Sequence, residues 1–451
     1  MKTELETIFT GQSVAIAGFG IEGQAAYQFL QSIDDCQVII IDQNTEVELP
    51  SGAASKLGSD WLVDIDSYDI VLRTSGMQPA KLAGARQVRT STDLLFEIYG
   101  PQTIGVTGTK GKSTTASLIA AVLESAGQQG ELVGNIGRST WEILGSDITP
   151  ETVVVAELSS FQLADVSHSP HGAVLLPIAS DHLDWHHSQQ NYEQSKLNLI
   201  RYQTSSDYLV TTKATSTELS IADITTTNII LYDEIVIQDN PKIIINDNEI
   251  AASDIALPGQ HNLSNISLAL IAAQQWLKDH GDSVSNHWDS VRRTICEFEP
   301  LPYHLQDLGQ LGGYRIINDS YSSTPIATSA ALLAVEGSKT LIFGGQSRGL
   351  DLASTIANFD EADVRAVVIV GADASYCQKV ADTVARSSHA RPVIIGEQDM
   401  DTILHTALAE SAERTTILFS PGHPSFDMYT NFNQRGELFT NAVEQARSEY
   451  A

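Results

Sequence analysis

Thr103-Ile-Gly-Val-Thr107-Gly108-Thr109-Lys110-Gly111-Lys112-Ser113-Thr114 decides how this chain of 451 residues is read. A β-branched run enters a glycine-rich turn, and Thr114–Ser125 beyond it has the Ala/Leu-rich composition of a helix. The string departs from the strict Walker A pattern, because Val106 stands where its first glycine would be. It keeps the parts that phosphate chemistry needs. Backbone amides over Gly108, Thr109, Lys110, Gly111 and Lys112 can cradle phosphate oxygens where Thr114 opens the helix. Lys112 can reach the β and γ phosphates, and Ser113 can hold Mg²⁺. A strand, a phosphate loop and a helix in that order predict a parallel sheet with its ligand at the C-terminal strand ends.

Working outward, similar apolar runs bounded by Gly or Asp read as strands buried on both faces. They are Val14–Ala17, Val38–Ile41, Ile70–Leu72, Val153–Ala156, Val174–Leu176, Leu341–Phe343, Val367–Val370 and Thr416–Phe419. Helical stretches such as Thr324–Val335 alternate with them. Gly100-Pro101 and the pair Pro300 and Pro302 punctuate the chain. The expected architecture is α/β in three domains: a Rossmann-like one over 1–98, a central P-loop-type ATPase domain with a mainly parallel sheet over 99–300, and a Rossmann-like α/β domain over 301–451. Asp207–Ile255, rich in Thr, Ile and Asp, reads as an antiparallel insertion within the second.

The first strand runs into Gly18-Phe-Gly20-Ile21-Glu22-Gly23, and the next ends in Asp42. This is the dinucleotide-binding context: a tight turn, close backbone approach to a diphosphate, and an acid for a ribose. Taken alone it favours an NAD-type ligand, with another diphosphate such as a UDP-sugar, or a turn serving only packing, left open. Thr74-Ser75-Gly76-Met77 is a second small-residue loop after a strand, suited to face the first across a nucleotide cleft. Two phosphate loops in separate domains argue against a simple dehydrogenase and for an ATP-consuming enzyme with a nucleotide-linked substrate.

Composition narrows the classes further. With 42% hydrophobic and 18% charged residues the chain is an ordinary globular protein. A net charge of −30 opposes unaided binding to nucleic acid polymers or anionic membranes. Cys36, Cys296 and Cys377 are odd in number and far apart, which excludes a disulfide framework and a cysteine zinc site. The start lacks a signal peptide, and no apolar stretch reaches about 18 residues, so a cytoplasmic, membrane-free protein is expected, most simply a monomer.

Gly108-Thr-Lys-Gly-Lys-Ser-Thr114, Gly134-Asn-Ile-Gly137, Glu157-Leu-Ser-Ser-Phe-Gln-Leu163, Asp181-His-Leu-Asp184, Gly259-Gln-His-Asn-Leu-Ser-Asn265, Asn318-Asp-Ser320 and Asn431-Phe-Asn-Gln-Arg-Gly436 follow one another in this order. Together they resemble the Mur ligase family over nearly the whole chain. The resemblance implies an ATP- and Mg²⁺-dependent amide ligase, on the branch joining D-glutamate to UDP-N-acetylmuramoyl-L-alanine through an acyl phosphate. It assigns Lys112, His182 and Lys196 to catalysis, Asn262, Asn265 and Asp319 to ATP, and Ser113, Glu157, His182 and Lys196 to the metal. Lys196 matches a lysine that the family carbamylates. Gly20, Ile21, Glu22, Asp42, Ser75, Gly76 and Asn135 are assigned to the UDP substrate. Ser323, Arg348, Ser425 and Phe432 are assigned to the amino acid. Read from the residues alone, Glu157 ends a strand where a Walker-B-like acid would sit, and Lys196 is an ordinary helix lysine.

Departures from the family pattern cluster around the amino acid and ATP. Pro177 stands where an asparagine is usual, Tyr321 follows Asn318-Asp-Ser320 where a lysine is usual, and His304 replaces an arginine. Gln43-Asn44 alters the uracil side, and Arg348 keeps a cation where a lysine is usual. A guanidinium can hold a carboxylate bidentately. The alternatives are a related ligase adding L-glutamate, a folylpolyglutamate-like ligase, a non-catalytic subunit of the same fold, and an NAD-linked enzyme.

Overall fold

The computed structural model describes all residues except 1, 137, 147, 222–226, 233–240, 300, 348–351, 413 and 451. The first sheet contains β1 (Ser13–Ala17), β2 (Gln37–Asp42), β3 (Ala54–Leu57), β4 (Ile70–Arg73) and β5 (Val88–Arg89), in the order β3-β2-β1-β4-β5. Every pairing in it is parallel. The strand order reverses between β1 and β4, so the loops after those two strands flank the crevice where open sheets bind ligands.

The second sheet contains β6 (Thr103–Thr107), β7 (Gly130–Gly134), β8 (Val153–Glu157), β9 (Gly172–Leu175), β10 (Tyr208–Thr212) and β11 (Asn228–Tyr232). Its order is β11-β10-β9-β6-β8-β7, again wholly parallel. β6, β8, β9 and β10 are buried along their full length, as their apolar runs require. One core of buried residues runs from Val14, Ile16 and Leu72 of the first sheet through Leu94, Leu95, Trp141 and Ile143 to Val154, Ala156 and Leu175 of the second. Both sheets accordingly fall in one compact unit, 1–254 with 264–296.

The expectation of an antiparallel insertion over Asp207–Ile255 is corrected here. β10 and β11 are parallel members of the main sheet, and only β12 (Lys242–Ile245) and β13 (Asn248–Ala251) form an antiparallel hairpin. The threonines of β10 are accommodated in the buried sheet because the Thr211 hydroxyl donates to Leu175 O at 2.7 Å and Thr212 caps the next helix through Thr215 N. With these hydroxyls paired, burial costs little.

The other unit, 255–263 with 297–451, carries β14 (Gln306–Leu311), β15 (Tyr314–Asn318), β16 (Lys339–Gly344), β17 (Val364–Val370), β18 (Arg391–Gly396) and β19 (Thr416–Phe419). The order is β14-β15-β19-β16-β17-β18. β14 and β15 form an antiparallel hairpin and the remaining pairings are parallel. Helices lie on both sides, with Leu332, Ile356 and Val380 in one core and Ile403, Leu404 and Phe439 in the other.

Candidate active site

The glycine loop after β1 is shaped by contact. Gly18 has φ +95°, and a Cβ there would lie 2.3 Å from the Thr74 hydroxyl, so only glycine fits. Asp42 Oδ2 accepts from Phe19 N at 2.7 Å and its Oδ1 accepts from Asn44 N at 2.8 Å, so this acid braces the loop. Glu22 does similar work: it accepts from Ser75 N at 2.7 Å and from the Ser91 hydroxyl at 2.8 Å. Together these loops wall a cleft of about 660 Å³. Gly20, Ile21, Glu22, Asp42, Ser75, Gly76 and Asn135 all line it, so the seven positions assigned to a UDP substrate come together. Gln43, placed on the uracil side from the sequence, lines it as well, and so do Lys81, Trp141 and Gln162, which were missed. Trp141 follows Gly134-Asn-Ile-Gly137 on a short helix capped by Ser139, a local signal that was available.

The phosphate loop follows β6. Gly111 precedes the helix Lys112–Ser125 at φ +83°, and a Cβ there would meet the Asn265 amide at 2.5 Å. Thr109 ties the loop to the segment after β9: its N donates to Pro177 O at 3.1 Å, and its hydroxyl accepts from Ala179 N at 2.9 Å. Pro177 therefore serves through its carbonyl, which a proline keeps. The ammonium of Lys112 donates to Thr109 O at 3.1 Å.

Beside this loop lie the groups assigned to the metal. Ser113, 2% exposed, donates from its hydroxyl to Glu157 Oε2 at 2.9 Å, and Glu157 is 1% exposed at the end of β8. Burial pushes the Glu157 carboxyl above its usual range, against the pull of Lys112 and of hydrogen bonds from Ser113 and Asn135. Lys196, on the helix Gln189–Arg201, is likewise buried, and its Nζ donates to Gly108 O at 2.7 Å. Burial first, and the Lys112 charge second, hold its amine well below the ordinary lysine range. His182 sits at φ +52°, a left-handed backbone uncommon outside glycine. Its Nε2 lies 3.6 Å from Asp181 Oδ2, and its ring meets Phe161 edge-on at 4.7 Å.

A buried hydroxyl bonded to a buried, poorly solvated carboxylate is a hard oxygen pair of the kind Mg²⁺ takes alongside phosphate oxygens and water. Among the described residues no cluster of three or more His, Cys, Asp or Glu could hold a metal ion.

Asn265 belongs to the first unit and Asn262 to the second, where its amide donates to Pro258 O at 2.5 Å. Asp319 accepts from the Ser420 hydroxyl at 2.7 Å and from Leu305 N at 3.1 Å. Ser425 is buried, and the Phe432 ring meets Tyr321 edge-on at 5.1 Å. Tyr321 in turn stacks on His304 at 3.7 Å, so two departures from the family pattern touch one another. Arg348 and Gly137 lie outside the described residues.

Fold and site define a nucleotide-using α/β protein with a phosphate loop and a dinucleotide-type cleft in one unit. Comparison with known proteins is specific. The Mur ligase middle domain matches residues 106–273. The UDP-N-acetylmuramoylalanine–D-glutamate ligase of Streptococcus agalactiae serotype Ia is 31% identical over 466 residues, covering 98% of this chain and 99% of that protein. The enzyme of the same name from Geobacillus kaustophilus is 30% identical, with 96% and 98% covered. The crystal structure of the MurF ligase from Thermotoga maritima in complex with ADP matches in fold, with a TM-score of 0.61 at 15% identity over 99% and 97% of the two chains. This chain belongs to the Mur ligase family, on its UDP-N-acetylmuramoylalanine–D-glutamate ligase branch.

Proposed function

We propose that the protein is an ATP-dependent ligase that joins D-glutamate to UDP-N-acetylmuramoyl-L-alanine. One observation carries the reading: Glu157 is hydrogen-bonded both to Ser113 of the phosphate loop and to Asn135 in the wall of the cleft. A single buried carboxylate thus links the cleft to the phosphate loop, which supports phosphoryl transfer to an acid bound in that cleft. The cleft would hold the UDP diphosphate against the amides of Gly18–Gly23. The substrate carboxylate would attack the γ-phosphate of ATP, forming an acyl phosphate and releasing ADP, with Lys112 neutralising charge on the transferred group. The glutamate amine would then attack the acyl phosphate, and the tetrahedral intermediate would expel phosphate. Ser113 and Glu157 would hold Mg²⁺, which supplies charge neutralisation between anions that otherwise repel. Asn262, Asn265 and Asp319 are assigned to the nucleotide, and Ser323, Arg348, Ser425 and Phe432 to the amino acid. Three domains, 1–98, 99–300 and 301–451, would take the UDP substrate, ATP and amino acid in turn.

The test is phosphate release with UDP-N-acetylmuramoyl-L-alanine, ATP, Mg²⁺ and either D- or L-glutamate, followed by chiral analysis of the product. Turnover restricted to D-glutamate supports the reading; turnover with L-glutamate alone moves the protein to the other specificity. Lys112→Ala should lower kcat by well over tenfold while calorimetry shows the UDP substrate still binding. Tenfold is only about 1.4 kcal/mol, small for a charge lost at a transferring phosphoryl.

A further inference from the structure

In the third sheet β19, β16 and β17 are neighbours, and the segments leaving their C-terminal ends meet. β16 runs into Gly344–Ser347, β17 leads to the helix Ala374–Ser387 that carries Tyr376, and β19 leads into Pro421–Ser425. The first of these segments is seated on the last by backbone bonds, Gly344 N to Pro421 O at 2.8 Å and Gln346 N to Pro424 O at 3.0 Å. Side chains then close a second link. The Tyr376 hydroxyl lies 2.9 Å from His423 Nε2, His423 Nδ1 lies 2.8 Å from Pro421 O, and Ser347 donates to the Tyr376 hydroxyl.

The direction of this chain follows from its members. A carbonyl only accepts, so His423 Nδ1 carries the hydrogen. The ring is 3% exposed, and burial pushes its pKa down to about 4, so it is neutral and Nε2 accepts. The Tyr376 proton is therefore committed to His423, and its oxygen is left to accept from Ser347. One arrangement satisfies every group, and it ends on the exposed Ser347. The ring of His423 is fixed from the other side by Phe343 of β16, edge-on at 4.9 Å.

We infer that Tyr376 and His423 are positioning residues for the amino-acid substrate, their hydrogen-bond chain fixing the Gly344–Ser347 loop beside Ser425. This rests on the ligase reading above. The loop leaves the ligand-binding end of a parallel sheet, and His423 is two residues from Ser425, so the chain acts on the segment presented to the amino acid without touching it.

Steady-state kinetics of Tyr376→Phe and Ser347→Ala test the inference. Each should raise KM for glutamate about fivefold, as expected when one bond of a partly buried network is lost. The KM values for ATP and the UDP substrate should stay within twofold. The double variant should be no worse than either single one, because the chain is already broken. Ser347 is exposed, so Ser347→Ala decides the matter if Tyr376→Phe does not fold. An unmoved glutamate KM in Ser347→Ala, or a parallel rise of all three KM values in Tyr376→Phe, overturns the inference. A wild-type protein that consumes no glutamate overturns the ligase reading, and the inference with it, before any variant is measured.

Discussion

Lys196 carries two opposed demands. As an ammonium it pins Gly108 O, yet burial and the nearby Lys112 charge favour its neutral amine. A neutral amine is what carbamylation needs, and a carbamate would add a hard oxygen donor near Glu157 and Ser113. Lys196→Ala should be nearly inactive, with turnover partly restored by added short-chain carboxylates, whereas Lys196→Arg stays inactive. An active Arg variant, measured in the same phosphate-release assay, would show a simple cation at work. His423 makes a different prediction, about stability. Its pKa falls from 6.5 to about 4 on folding, mainly through burial, with Arg435 also lowering it and Pro421 O and Asp427 raising it. The unfolded chain then binds more protons than the folded one between those values, so this contribution is present above pH 6.5 and lost as pH falls towards 4. The loss is on the order of 3 kcal/mol. Urea unfolding at stepped pH should show it in the wild type, and His423→Gln should remove that share of the slope. An unchanged slope in the variant would put the titration elsewhere.

Among the elements, the loop after β4 and the segment around His182 are joined by few but directed bonds. Trp185 Nε1 donates to Gly76 O at 3.1 Å, and Gln78 Nε2 donates back to Trp185 O at 2.8 Å. Phe161 packs on Trp185 at 4.9 Å, and on His182 as well. Trp185→Phe keeps an aromatic six-membered ring but loses the pyrrole ring with its hydrogen bond, the bond worth about 1 kcal/mol, so KM for the UDP substrate should rise at least roughly fivefold with kcat little changed. Titration of UDP-substrate concentration checks this, and an equal fall in kcat would assign the pair to chemistry instead. That bond spans 109 positions, which is why nothing in the sequence announced it. Local patterns were legible: Thr416–Phe419 was read to its residue, and both glycine loops follow their strands as expected. β3 and β5 were not, being short and partly exposed, with no apolar run to mark them. In the site, Lys112 and Ser113 could be read from their loop, whereas Lys196 and Asn265 needed the family pattern, because their neighbours come from other elements.

At the scale of the whole molecule, the net charge of −30 works against every substrate proposed for it. ATP and a UDP-linked acid are anions, and the long-range field of the chain repels both. Lys110 and Lys112 in the phosphate loop, and Lys81 in the cleft wall, attract at short range. The two effects respond differently to salt. The Debye length falls from about 30 Å at 0.01 M to about 8 Å at 0.15 M, so the repulsion summed over the surface is screened while contacts of 3–4 Å between partly buried groups persist. The kcat/KM for the UDP substrate should therefore rise severalfold between those ionic strengths at constant free Mg²⁺, the reverse of an enzyme that steers anions through a basic surface. Stopped-flow binding of the UDP substrate would locate the gain in the association rate. A kcat/KM that falls with salt would mean that the lysines set the long-range field despite the thirty excess negative charges.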